Sequence, residues 1–193
     1  MSATMKNESP PKRLITVEEY HQMAQLGILD SNSRVELIEG EIIDMAPIGI
    51  LHCSVVDRLT RWLTRALADD KAIVRVGGSF RLSNLTEPQP DLILLKPRDD
   101  FYASQFATGE DTLLVIEVSD TTLRYDRNVK VPLYARYGIP EVWIVDLDSG
   151  RLHCFRRLTD KTYTEVTATD RPGVVTLPGV PKVTVDLSQL LDI

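Results

Sequence analysis

The sequence contains two apolar runs that predict the central strands of the fold, QPDLILL at residues 89–95 and TLLVIEVS at residues 112–119. Each run has the length of a buried β-strand, and each carries one carboxylate, Asp91 in the first and Glu117 in the second. A strand that is buried on both faces rarely keeps a charge unless that charge is paired or coordinated. Two such carboxylates on neighbouring strands can share a divalent cation. Together with Lys130 on the predicted helix that follows, they indicate metal-assisted phosphodiester hydrolysis.

The segments after these runs predict a mixed sheet. Residues 112–119, a helix from about residue 126 to 137 and an apolar run at residues 141–146 have the strand, helix, strand order of a parallel crossover. Turn sequences near residues 40 and 149 predict hairpins and therefore antiparallel pairs. The predicted fold class is α/β, with a mixed β-sheet flanked by helices.

Further elements are predicted on the N-terminal side. Thr16 and Glu19 form a capping box that opens a short helix. Apolar residues recur at three- and four-residue intervals over residues 51–68, which is typical of an amphipathic helix packed on a sheet. Residues 72–76 and 79–82 predict two strands joined by a pair of glycines.

The composition fits one compact globular domain. The chain has 193 residues, 43% of them hydrophobic and 26% charged, which suffices for one core but not for two comfortable domains. We predict a flexible tail at residues 1–13 and a single domain at residues 14–193. The net charge of −6 argues against a protein that coats nucleic acid by bulk attraction. A local basic surface or a metal-filled acidic cleft remains compatible with that charge.

The cysteines and the hydropathy argue against several other classes. Cys53 and Cys154 lie far apart and lack Cys-x-x-Cys spacing, so neither a disulfide framework nor a structural zinc site is expected. No apolar run has membrane-spanning length, and the polar start lacks the apolar segment of a signal peptide. We therefore predict a cytoplasmic protein without a membrane partner.

Several motifs of the chain occur together in one known family. They are the hairpin with Glu36, the dipeptide Pro90-Asp91, the strand that ends at Ser119, the segment 126–130 and the segment YARYGIPEVWIVD at residues 134–146. In this combination, residues 15–157 resemble the bacterial putative restriction endonuclease family of Uma type, part of the PD-(D/E)XK nuclease superfamily. The resemblance implies a restriction-endonuclease-like core and a Mg²⁺-dependent site, with Mn²⁺ as a substitute, that cleaves DNA. By analogy it also implies a homodimer, since cutting both strands commonly needs two sites.

The same resemblance implies roles for individual residues. Asp91 and Glu117 match the metal-holding carboxylates, and Glu36 matches the acidic residue that precedes them, so these three are the predicted metal ligands. The superfamily motif places a lysine two residues after the glutamate, but this chain has Ser119 there. The resemblance offers Lys130 as a replacement that projects from the following helix. The predicted catalytic set is therefore Asp91, Glu117, Lys130 and Glu36.

Each of these residues also has a structural interpretation. Asp91 could end a loop before a strand, and Glu36 could be an exposed strand residue paired with Arg34. Glu117 could form a buried ion pair with Lys130 and no metal. Two other functions stay open: a catalytically inactive nuclease fold that binds nucleic acid or a protein partner, and a structural or regulatory module built on that ion pair.

Basic and aromatic residues give weaker signals. Arg58, Arg61 and Arg65 lie on one face of the long predicted helix and could contact phosphates, although a solvated helix face is the favoured interpretation. His52 resembles a histidine frequent in the family and is interpreted as a supporting or capping residue rather than a zinc ligand. Tyr134 is interpreted as a packing residue.

Overall fold

The computed structural model describes residues 11–30, 33–67 and 71–192. Most of the predicted N-terminal tail, residues 1–10, lies outside this described part. The tail residues that are described contact the body of the protein: Lys12 Nζ lies 2.6 Å from Glu41 Oε1, and Arg13 pairs with Glu19. Residues 12 and 13 are therefore attached to the first helix and hairpin.

Helices and strands follow one another along most of the described chain. In order they are α1 (Val17–Gln25), β1 (Val35–Ile38), β2 (Glu41–Asp44), α2 (Ile50–Ala66), β3 (Ile73–Val76), β4 (Leu92–Leu95), a 3₁₀ turn (Gly109–Asp111), β5 (Thr112–Ser119), α3 (Leu123–Tyr125), a π-helical turn (Asp126–Lys130), α4 (Val131–Arg136), β6 (Val142–Asp146), β7 (Arg151–Thr159), β8 (Thr162–Thr169), β9 (Val174–Thr176) and β10 (Thr184–Asp186). Among these helices, none is both long and apolar enough to cross a lipid bilayer.

The central sheet is mixed, as the sequence predicts. Strands β3 to β8 pair in chain order within the described residues, giving a six-stranded sheet. Strands β5 and β6 are parallel because the helical segment between them crosses over the sheet. The other neighbouring pairs are antiparallel. The predicted α/β class is therefore confirmed, with the two carboxylate-bearing runs adjacent in the sheet.

Each face of the sheet is covered by a different layer. On one face, Val55, Leu59 and Leu63 of α2 pack with the C-terminal segment that contains Leu187 and Leu190. On the other face, the covering residues come from the loops after β3 and β4, from α4 and from the loop after α4: Phe80, Tyr102, Ala107, Val131, Tyr134, Ala135 and Ile139. Strand β5 is buried along its whole length because both faces are covered.

In the N-terminal half one sequence prediction is confirmed and one needs correction. Strands β1 and β2 pair antiparallel in the predicted hairpin, and they form a two-stranded sheet separate from the central one. Residues 79–82 are not a strand, so that prediction was wrong. Their partner segment, residues 86–90, contains Pro88 and Pro90, which have no N–H to donate to a ladder. Only single bonds form, such as Phe80 N to Pro88 O at 3.2 Å.

The helix after β5 contains a local expansion at the point where the site residues emerge. The π-helical turn lies between α3 and α4, and Val131 N donates to Asp126 O, five residues back. Pro132 follows directly, so the ladder lacks one N–H at this point, and proline is a common neighbour of such irregularities. The expansion places Asp126 and Lys130 in buried positions facing the sheet.

Candidate active site

A cleft of about 540 Å³ opens between the β1–β2 hairpin and the segment that follows β5. Its lining contains all four residues of the predicted catalytic set: Glu36, Asp91, Glu117 and Lys130. Glu36 comes from β1, and Asp91 directly precedes β4. Glu117 comes from β5, and Lys130 comes from the π-helical turn. The tertiary fold therefore assembles one cleft from residues spread over 94 positions of the chain.

The two carboxylates predicted from the apolar runs lie on neighbouring strands. Leu92 of β4 pairs with Ile116 of β5 in antiparallel register, and continuing that register by one residue places Asp91 opposite Glu117. Directly opposite residues on antiparallel strands have Cβ atoms about 4.5–5.5 Å apart and point to the same face. Both side chains line the same cleft.

Lys130 points into this carboxylate cluster. Its Nζ lies 2.8 Å from Glu117 Oε1 and 3.3 Å from Glu36 Oε2, and the lysine is only 4% exposed. The tyrosine one turn further, Tyr134, donates from its hydroxyl to the same Glu117 oxygen at 2.5 Å. Tyr134 thus packs in the core, as predicted, and also holds the carboxylate.

Ser119 occupies the position of the superfamily lysine and has a different partner. Its hydroxyl donates to Asp126 Oδ2 at 2.7 Å, and the hydroxyl of Thr122 donates to the same oxygen at 2.6 Å. Ser119 is fully buried and Asp126 is 5% exposed. The motif position therefore fixes an additional carboxylate beside Lys130.

Glu36 is not the exposed strand residue of its structural interpretation. It is 2% exposed, and besides Lys130 it accepts a hydrogen bond of 3.1 Å from the backbone N–H of Gln89. Its neighbour Leu37 forms an isolated bridge with Glu87, which docks the hairpin against the segment leading to Asp91. This docking brings the hairpin carboxylate into the cluster.

Asp91 is held by a strand and by a helix. Its Oδ2 accepts from the backbone N–H of Val118 at 2.7 Å, and its Oδ1 lies 3.0 Å from Nε2 of His52, near the start of α2. The Nδ1 atom of His52 is buried and has no hydrogen-bond partner among the described residues. His52 therefore supports Asp91, which agrees with its interpretation from the sequence.

The charges in the cluster do not balance. Burial raises the pKa of Glu117 to about 8; the ammonium of Lys130 opposes this rise, and Asp126 and Asp91 add to it. Burial also disfavours the charged form of Lys130, but Glu117, Glu36 and Asp126 outweigh that effect and raise the lysine pKa above its usual value. Burial raises the pKa of Asp126 as well. A cluster with several carboxyl groups around one ammonium favours an added proton or cation.

The residues present fit a divalent cation held by two carboxylates. Mg²⁺ prefers hard oxygen ligands, keeps several waters and is commonly bound through one or two carboxylates. Asp91 and Glu117 supply such oxygens side by side at the cleft. In the described chain, however, no three His, Cys, Asp or Glu side chains are arranged to hold one ion. Glu36 is engaged with Lys130 and with the N–H of Gln89, and its place in a shell of three carboxylates stays a prediction.

The predicted arginine strip does not reach the cluster. Arg58 donates to the carbonyl oxygens of Gln189 at 3.2 Å and Asp192 at 3.0 Å, so it ties the C-terminal segment to α2. Arg61 and Arg65 lie about 14 and 20 Å further along the helix axis than His52, at 1.5 Å per residue. The favoured interpretation of a helix face without a role at the site agrees with these positions.

Sequence reasoning left two residues outside the cluster that the structure places in it. From the sequence, Asp126 has no predicted role at the site, and Tyr134 is predicted only to pack in the core. The spacing Asp126, Lys130 and Tyr134 repeats every four residues, which puts all three on one face of a helix. That periodicity was the signal available in the sequence.

Comparison with known proteins gives a matching family and solved structures of similar fold. The family model Uma2, described as "Putative restriction endonuclease", matches residues 17–188. A crystal structure of a putative nuclease belonging to DUF820 from Anabaena variabilis ATCC 29413 superposes with a TM-score of 0.67 at 16% sequence identity. The match covers 92% of this chain and 98% of that one, and at this identity it shows a shared fold. No curated protein matches the chain.

Proposed function

Because the chain belongs to the Uma2 family of putative restriction endonucleases, we propose that it hydrolyses DNA phosphodiester bonds with the help of a divalent cation. The observation that carries the proposal is the buried cluster in which Asp91 and Glu117 stand side by side and Lys130 reaches Glu117 at 2.8 Å. Excess carboxyl groups and one ammonium in a cleft are the charges that a metal-assisted reaction on a phosphate requires.

In this proposal Asp91 and Glu117 hold Mg²⁺, with Mn²⁺ as a substitute. A cation bound there supplies polarisation of the phosphate and a lower pKa for the attacking water. Hydrolysis forms a bond from the water oxygen to phosphorus and breaks one P–O ester bond, and the leaving oxygen takes up a proton as a hydroxyl group.

The other residues of the cluster position the reacting groups. Lys130 offers its ammonium to the attacking water or to charge that develops on the phosphate. Glu36 keeps that ammonium inside the cleft, and Tyr134 fixes the Glu117 oxygen. The N–H of Val118 fixes one oxygen of Asp91. In this role Glu36 orients the lysine, and it joins the metal only if the Lys130 contact opens.

The test is cleavage of supercoiled plasmid and of circular single-stranded DNA in the presence of Mg²⁺ or Mn²⁺. Wild type should cut at least one of these DNAs, and a chelator should abolish the cutting. Glu117→Gln, purified identically, should lose at least about a hundredfold in rate, the scale of one lost electrostatic group in a site. Glu110→Gln is the matched control, because Glu110 is an exposed glutamate next to the opposite end of β5. If the Glu117→Gln protein still cuts DNA at the wild-type rate, the proposal is refuted.

A binding module without catalysis is the second candidate. It is favoured by Ser119 at the motif position and by the ion pairs of Lys130 with Glu117 and Glu36. This candidate predicts DNA or protein binding that needs no metal and no cleavage by wild type under any of the conditions above. The homodimer and the cytoplasmic location stay predictions; sedimentation of the purified protein tests the first.

A further inference from the structure

The two sides of the cleft differ in chemistry. The side formed by β2 and the loop after it presents the exposed Asp44 to the cleft and, beside it, five apolar residues: Ile43, Met45, Ala46, Pro47 and Ile48. We call these five residues the apolar wall. Ile48 is 50% exposed, so the wall is open to a ligand rather than packed into the core. The cluster around Glu117 lies on the other side, and the volume of about 540 Å³ falls in the range of small-molecule sites.

The acidic side of the cleft is recessed. Glu117 and Lys130 are each only 4% exposed, so a phosphodiester must enter the cleft to meet them. In a duplex the bases next to that phosphate are stacked and paired, and they cannot turn toward an apolar wall. A DNA base can therefore contact the apolar wall only if that base is unstacked.

Two arginines flank the cleft from opposite sides. Arg34 precedes β1 and donates to the carbonyl oxygen of Ala46, which anchors the apolar wall. Arg124 is exposed on α3, lines the cleft and forms no ion pair with any residue that the structure describes. Two cations suit a few phosphates of one strand. Two arginines do not form the broad basic surface that duplex binding needs. The net charge of −6 does not supply such a surface either.

The cleft also contains unmet hydrogen-bonding groups and one aromatic ring. Tyr125 lines it, and its buried hydroxyl lies near the carboxylate of Glu36 without a well-aligned hydrogen bond to a described residue. His52 also lines the cleft, and its Nδ1 atom is buried without a hydrogen-bond partner among the described residues. A base offers a flat face to an aromatic ring and polar edges to such groups. An aliphatic ligand would leave both groups unsatisfied.

We propose that the cleft takes an unpaired nucleotide of a DNA strand, with its base between the apolar wall and Tyr125. The phosphates next to it lie toward Arg34 and Arg124, and the scissile phosphate lies at Asp91 and Glu117. This inference rests on the proposed function and narrows its substrate to single-stranded or locally unpaired DNA. One cleft then suffices for a cut, and the predicted homodimer is not required.

Binding is the first measurement, because it does not depend on cleavage. Three fluorescein-labelled DNAs of one sequence are compared by anisotropy with Glu117→Gln protein: a single strand, a fully paired duplex and a duplex with an internal unpaired loop. The single strand and the looped duplex should bind at least about tenfold more tightly than the paired duplex. Equal affinities, or tighter binding of the paired duplex, would overturn the inference.

Two further variants test the walls of the cleft. Ile48→Asn should weaken binding of the single strand by about fivefold or more, the lower end for a lost base contact. Val166→Asn is the matched control, since Val166 is 53% exposed on β8 and does not line the cleft. Arg124→Gln should lower the slope of log affinity against log salt by about one. An unchanged affinity in Ile48→Asn, or an equal loss in Val166→Asn, counts against the proposed wall.

The outcomes separate this inference from the proposed function. Metal-dependent cutting of the paired duplex at the rate of the single strand would keep the nuclease function and overturn the unpaired-nucleotide site. Preferential binding of unpaired DNA that Ile48→Asn weakens, without cutting by wild type, would keep the site and remove the nuclease function.

Discussion

Glu117→Gln should stabilise the protein in alkaline solution without metal. The substitution keeps an oxygen that can accept from Lys130 and Tyr134, and it removes one negative charge from a buried cluster. Lys130 is not left alone, because Glu36 remains 3.3 Å from its Nζ. The carboxylate of Glu117 thus costs more in burial and repulsion than its ion pair returns.

The pKa of Glu117 sets the size and the direction of this effect. Burial raises that pKa from an ordinary 4.5 to about 8, which corresponds to a ceiling of about 5 kcal/mol at 1.36 kcal/mol per pH unit. The folded protein binds this proton more tightly than the unfolded chain does. The contribution of Glu117 to the free energy of unfolding is therefore fully present below about pH 4.5 and is lost as the pH rises to about 8.

Urea unfolding of wild type and Glu117→Gln at two pH values measures the effect. At pH values near 4.5 the wild-type carboxyl group is protonated in the folded protein and the unfolded chain gains little by ionising it, so the two proteins should differ by less than about 1 kcal/mol. At pH values near 9 the variant should be more stable by about 2–5 kcal/mol. Glu110→Gln should show no such change with pH, because Glu110 is exposed. A Glu117→Gln protein that is less stable than wild type near pH 9 would refute the reasoning and support a purely structural ion pair.

Three other outcomes follow from the same structure. Lys130→Met should lower the free energy of unfolding by about 3–5 kcal/mol near pH 9, since it leaves buried carboxylates without their cation; urea unfolding at that pH measures it, and a loss below about 1 kcal/mol would contradict the cluster. Saturating Mg²⁺ near pH 9 should raise the thermal midpoint of wild type by about 5–10 °C, because a hundredfold excess over Kd stabilises the folded protein by about 2.7 kcal/mol. The midpoint of Glu117→Gln should rise less. Equal midpoints of wild type with Mg²⁺ and with chelator would exclude the metal site. Arg58→Ala should cost about 1 kcal/mol through its lost bonds to Gln189 and Asp192 and should leave DNA binding by anisotropy unchanged, whereas a tenfold loss of binding would restore the phosphate strip.

Elements whose signals are local could be predicted from the sequence. The apolar runs that contain β4, β5 and β6 predicted buried strands, and their order around a helix predicted the parallel crossover. The capping box of Thr16 and Glu19 forms as predicted. Charges inside apolar runs identified Asp91 and Glu117 as unusual residues. These signals depend on neighbours within a few positions, so a linear pattern contains them.

The surroundings of each site residue depend on contacts between segments that are distant in the chain. Glu36 is buried because the hairpin docks on Glu87, and its contact with Lys130 spans 94 positions. The π-helical turn, with its bond from Val131 N to Asp126 O, is not encoded by a 3.6-residue period. Residues 79–82 lacked a partner that could donate regularly, which a strand-like run does not reveal by itself. Local patterns specify what a segment can form, whereas burial and pairing depend on which distant segment packs against it.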